Sequence, residues 1–107
     1  MKKLGIVLSS TEAELVWNAF RLGNFSLGKG DSVSVFLIAK GVEVENISNE
    51  KFDVKAQMES LVKNGGQILA CGTCLTIRNS KGTELCPIST MADLYNLINE
   101  SDKIITF

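Results

Sequence analysis

Two cysteines three residues apart, in Cys71-Gly72-Thr73-Cys74, stand where the short run Gln67-Ile68-Leu69-Ala70 gives way to helical spacing. A strand-to-helix joint leaves backbone amides unpaired, and such amides favour a thiolate over a thiol. A thiolate attacks electrophilic sulfur, and a second thiol nearby resolves or receives what the first one holds. Cys71, at the joint itself, is therefore the expected nucleophile, with Cys74 about one turn inside. Gly72 and Thr73 supply a tight turn, and Arg78 adds positive charge one to two turns further on. Glu43, in Gly41-Val42-Glu43, is a candidate proton acceptor for a thiol; a solvated loop carboxylate is the alternative.

Other chemistries for the same residues fit less well. Free cysteine is among the most buried residue types, so two small apolar side chains packed at a joint is one alternative. Zinc is another, through Cys71, Cys74 and Cys86, but a structural site wants four ligands and the chain has no histidine. That absence also removes Ser-His-Asp triads and Cys-His pairs. Thioredoxin-like redox sites carry their C-x-x-C early in the fold, whereas this one lies two-thirds of the way along. Cys86, before Pro87 in a loop, is read as a bystander.

The elements that must position these residues alternate. Leu4 to Leu8 is a continuous apolar run, as expected of a strand covered on both faces. Thr11 and Glu14 fit a capping box that opens a helix reaching about Gly28, with Trp17 on its packing face. Ser32 to Ala39 reads as a second strand, and Lys40 to Lys51 as a polar loop. Asp53 caps a helix with Val54, Met58, Leu61 and Val62 on one side, which Asn64-Gly65-Gly66 ends. Gln67 to Ala70 is a third strand, and Cys71 to Arg78 opens a short helix. Ser89 or Thr90 caps a last helix with Met91, Leu94, Leu97 and Ile98 inward, and Lys103 to Phe107 is a final strand. Such alternation predicts an α/β fold: a parallel sheet with helices on both faces, its site beyond the carboxyl ends of the strands. Ser9–Thr11, Lys40–Glu43 and Cys71–Cys74 reach that edge.

Ser9-Ser10-Thr11 sits where flavodoxins, whose element order is similar, hold a phosphate. It lacks the glycine that lets a loop wrap one, so it is read as a helix cap, and no flavin or other cofactor is expected.

The whole of 1–107 is expected to be one domain. Eleven Lys and Arg against twelve Asp and Glu give a net charge of −1, which offers no field for a phosphate backbone, so no nucleic-acid partner is expected. The apolar run at the N-terminus is too short for a signal segment or a membrane span, and three cysteines do not make a secreted disulfide framework. A cytoplasmic protein without a membrane partner is expected. A mean hydropathy of +0.16 hints at subunit contacts.

Taken together, the residues resemble the DsrE/DsrF-like family, in its sulfur-relay (TusD-like), two-cysteine form. The resemblance runs nearly end to end. It includes Gly5-Ile6-Val7-Leu8, the strand leading to Gly41-Val42-Glu43, Ile68 to Cys74 with Arg78 behind it, and Ser101 to Phe107. It implies a flavodoxin-like fold without flavin, assembly into homotrimers or hexamers, and sulfane sulfur held as a cysteine persulfide. Cys71 matches the relay cysteine seven residues before an arginine, and Cys74 the second cysteine of two-cysteine members. The function implied is a sulfur carrier or sulfurtransferase between donor and acceptor proteins or small sulfane-sulfur compounds. The alternative is an oligomeric redox-sensing or metal-binding regulatory module. On the first reading, loss of Cys71 abolishes loading, loss of Cys74 slows release, and loss of Cys86 does little.

Overall fold

Strands and helices alternate through residues 2–107, which the computed structural model describes. Strands β1 (Lys3–Leu8), β2 (Ser32–Leu37), β3 (Gln67–Cys71), β4 (Ile88–Ser89) and β5 (Lys103–Thr106) form one parallel sheet in the order β4-β3-β2-β1-β5. Helices α1 (Ala13–Gly28), α2 (Val54–Lys63), α3 (Gly72–Ile77) and α4 (Met91–Glu100) connect them, and a 3-10 helix over Ala39–Asn46 follows β2. This is the α/β, flavodoxin-like architecture that the alternation predicts.

The register explains the two layers. Leu4, Ile6 and Leu8 pair with Val33, Val35 and Leu37, and Val35 and Leu37 pair in turn with Ile68 and Ala70. Parallel partners share a face, so these residues form one apolar surface, and all of them are buried. Helices α1 and α2 close over it with Val16, Phe20, Met58 and Leu61, and Asn24 Nδ2 joins the two helices by donating to the Gln57 main-chain carbonyl at 3.0 Å. On the opposite face α4 packs against β1. Gly5 makes room for it: a Cβ there would stand 2.6–2.8 Å from atoms of Ile104, Ser101 and Leu97.

The details differ from the sequence expectation at several points. Helix α1 is capped by Glu12, not by Thr11, and the Glu12 carboxylate accepts from the Glu14 and Leu15 amides. Two carboxylate oxygens satisfy two free amides at once and add negative charge at the positive end of the helix, which one hydroxyl cannot. Strand β2 stops at Leu37, because Ala39 takes a left-handed backbone (φ 54°) that no strand accommodates. The segment expected to be a polar loop instead winds into the 3-10 helix and buries Val42 and Val44. A two-residue β4 extends the sheet beside β3.

The last helix begins as expected, with Thr90 and Asp93 forming a capping box. Its apolar side is not all inward. Leu97 is buried and Leu94 half-buried, but Met91 is 61% exposed and Ile98 47% exposed. The neighbouring edge strand β5 is uncovered along its whole length.

Candidate functional site

The carboxyl ends of β2 and β3 bring the expected residues to one corner. Strand β3 ends on Cys71, which caps α3 without a side-chain hydrogen bond and is only 4% exposed. Gly72 and Thr73 then turn the chain into the helix, and Cys74 emerges half-buried on its first turn. Both thiols are free.

A main-chain group that side-chain reasoning does not reveal faces this pair. The Ala39 amide donates to the Cys74 sulfur at 3.2 Å. Its position follows from local structure. The Ile38 amide donates to the Leu8 carbonyl, which ties the end of β2 to β1, and the Gly41 amide donates back to the Ile38 carbonyl. That tight turn requires the left-handed Ala39, a conformation costing an alanine on the order of 1–2 kcal/mol. The nearest signal in the sequence is Gly41 just after an apolar strand, since glycine marks close backbone approach.

Arg78 and Glu43 act on each other. Arg78 Nε donates to Glu43 Oε2 at 2.6 Å, and Nη1 donates to the Cys74 carbonyl at 3.0 Å. The guanidinium therefore joins the 3-10 helix to α3 across the site. Glu43, expected as a proton acceptor, has one carboxylate oxygen committed to this pair.

Cys86 is a third free cysteine, and it is buried. Burial pushes its thiol up to about 12, and the Glu45 carboxylate adds to the effect. The Cys86 amide donates to the Thr83 hydroxyl, whose own proton goes to Glu45. Among the described residues, no three Cys, Asp or Glu side chains are gathered as metal ligands would be. Ser9–Thr11 serves the backbone. The Ser9 amide and hydroxyl both donate to the Phe107 carbonyl, and the Ser10 hydroxyl accepts from the Glu12 amide. Trp17 stacks at a tilt on Phe52, with the Arg21 guanidinium 4.5 Å above its ring. An open groove of about 620 Å³, lined by Gly72, Thr73, Ile77, Ile88 and Met91 among others, runs from the C-x-x-C turn toward α4. No helix among the described residues is long and apolar enough to cross a membrane.

The sequence pattern of the DsrE/DsrF-like family matches residues 2–107. The uncharacterized protein MJ0989 of Methanocaldococcus jannaschii is 32% identical over 101 residues, covering 88% of each chain. The uncharacterized protein MK0008 of Methanopyrus kandleri is 32% identical over 103 residues, covering 88% of this chain and 83% of its own. Among solved structures, the ychN protein from E. coli superposes with a TM-score of 0.79 at 20% identity, covering both chains completely. A conserved protein of unknown function from Bacteroides thetaiotaomicron, BT1422, gives 0.74 at 16%, covering 99% of this chain and 95% of its own. Those two likenesses show the fold.

Proposed function

Because the chain belongs to the DsrE/DsrF-like family, we propose that it is a sulfur carrier, a persulfide sulfurtransferase of the two-cysteine relay type. The observation that carries this reading is the thiol pair Cys71 and Cys74 at the carboxyl edge of the sheet, with a backbone amide directed at one of the two sulfurs.

The chemistry balances without a cofactor. A cysteine thiolate attacks the outer sulfur of a donor persulfide; the donor S–S bond breaks, its thiolate leaves, and a new persulfide stands on the protein. Delivery is the same step in reverse, with an acceptor thiolate taking the outer sulfur. A second route uses both cysteines: one attacks the inner sulfur of the other's persulfide, hydrosulfide leaves, and a Cys71–Cys74 disulfide remains for an external dithiol to reduce. Gly72 and Thr73 form the turn between the sulfurs, while Arg78 and Glu43 hold the two sides of the site together. The partners are sulfur donor and acceptor proteins or small sulfane-sulfur compounds. The working form is a cytoplasmic homo-oligomer, a trimer or a hexamer. Exposed Met91, Tyr95 and Ile98 on α4, beside uncovered β5, support that assembly.

The test is intact mass after incubation with a sulfane donor. A gain of one sulfur atom that a reductant removes is the expected result. A chain that takes up no sulfur but cycles between dithiol and disulfide, or carries bound zinc, is instead the regulatory module.

A further inference from the structure

The two cysteines differ in a way that decides which one bears the sulfur. Cys71 is 4% exposed and its sulfur makes no capping bond. Cys74 is half-buried, and its sulfur accepts the Ala39 amide. We infer that Cys74 is the sulfur-bearing thiol of the pair and that the Ala39 amide is its positioning donor. The inference rests on the sulfur-carrier reading for the identity of the cargo, and on geometry alone for the choice of thiol.

Access and electrostatics point the same way. A donor must approach the attacking sulfur in line with its own S–S bond, so a sulfur closed off by packing cannot serve a macromolecule or a bulky persulfide. The amide matters most at delivery. When an acceptor thiolate takes the outer sulfur, the bond between the two persulfide sulfurs breaks and its electron pair stays on Cys74 Sγ. An N–H already aimed at that sulfur stabilises the charge as it develops, without reorganisation. Attack on the inner sulfur would put the charge on departing hydrosulfide instead, where this amide gives no help. The arrangement therefore favours handing on sulfane sulfur over releasing hydrosulfide.

The site also shows how the amide is kept in place. Ala39 holds a left-handed conformation that alanine avoids, and such strain persists only where surrounding structure over-determines it. Here the Leu8 carbonyl, Gly41 and the Arg78–Glu43 pair supply that constraint. Gly41→Ala shifts the turn that aims this N–H, so sulfur delivery should slow by about tenfold or more in the folded variant. Delivery at the parental rate would remove the amide from the assignment.

The experiment uses the parent protein and the variants Cys71→Ser, Cys71→Ala, Cys74→Ser and Gly41→Ala, with glutathione persulfide as donor. Sulfur uptake is read by intact mass and peptide mapping, and brief iodoacetamide labelling at neutral pH is mapped in parallel. The expected result is sulfur and first label on Cys74 in the parent, uptake retained when Cys71 is replaced, and at least a tenfold loss of both in Cys74→Ser. The assignment is overturned if the parent labels first on Cys71, or if Cys74→Ser loads at the parental rate. Should the parent accept no sulfur at all, the carrier reading fails. Labelling of that same parent protein, which needs no substitution, then still decides which thiol reacts: Cys74 first upholds the assignment, and Cys71 first overturns it.

Discussion

Gly41 lies against the carbonyl of Leu8 so closely that a Cβ on it would overlap the oxygen. That oxygen is already bonded to the Ile38 amide, so neither the strand end nor the turn has room to give. Gly41→Ala must therefore push the 3-10 helix away from β1. A stability loss of about 1–3 kcal/mol is expected, the usual cost of overpacking, and is measured by urea unfolding. The Ala39 amide should move with the turn, so alkylation of Cys74 should change in the folded variant. A variant as stable as the parent would mean that the turn is looser than described.

Arg78 should matter more to activity than to stability. Its pair with Glu43 is partly exposed, with the two side chains 28% and 48% accessible, and exposed pairs contribute about 0–1 kcal/mol. Yet the guanidinium spans the two elements that carry the Ala39 amide and Cys74, and a displacement of about 1 Å in such a site costs up to about 100-fold in rate. Arg78→Ala should slow sulfur transfer by roughly ten- to a hundredfold while moving the unfolding midpoint little. Arg78→Lys should recover only part of the rate, because an ammonium lacks the planar fork that reaches both Glu43 and the Cys74 carbonyl. Equal losses of stability and rate would reduce Arg78 to a structural role.

Cys86 gives the protein an alkaline weakness. Its ordinary thiol value is 9.0, and burial, reinforced by Glu45, raises it to about 12 in the folded state. A raised folded value means that the native state holds the proton more tightly. The contribution to stability is whole below pH 9 and is lost as pH climbs toward 12. The slope is at most about 1.4 kcal/mol per pH unit for one proton. Urea titrations of the parent and Cys86→Ser across that range should diverge with this sign, the parent falling faster. Sulfur loading at neutral pH should be unchanged in the same variant.

The alternation of strands and helices was legible because covered parallel strands are continuous apolar runs and their helices carry caps such as Asp53 and Thr90. The corner that joins Cys74, Arg78 and Glu43 could also be anticipated, since loops at the carboxyl edge of a parallel sheet converge. What the residue types could not reveal is the Ala39 amide, because every non-proline residue carries one and only the fold aims it. Strand β4 escaped for a different reason: two residues show no periodicity. In α4, the spacing of Met91, Leu94, Leu97 and Ile98 announces an apolar side but not what covers it. In one copy of the chain, Met91 and Ile98 remain uncovered.

That uncovered side is the basis for expecting an assembly. Light scattering should give about three or six times the 11.6 kDa of the chain. Replacing Tyr95 and Ile98 together by aspartate should shift the mass toward a single copy, because charge opposes burial of both positions. A parent protein that remains a single copy at micromolar concentration would remove the homo-oligomer from the proposal.

The pairing of β5 with β1 has a kinetic side. The Lys3 amide donates to the Asp102 carboxylate, 99 residues away, and Leu4 to Val7 run beside Lys103 to Thr106. At a synthesis rate of about 5–20 residues per second, β1 is made some 5–20 seconds before the strand that closes its second edge. Throughout that interval the β2 side of β1 can fill while the other side shows a bare row of amides and carbonyls, a template for any extended segment nearby. The pairing of β1 on that side is thus completed only by β5, across the largest sequence separation of any strand pair in the sheet.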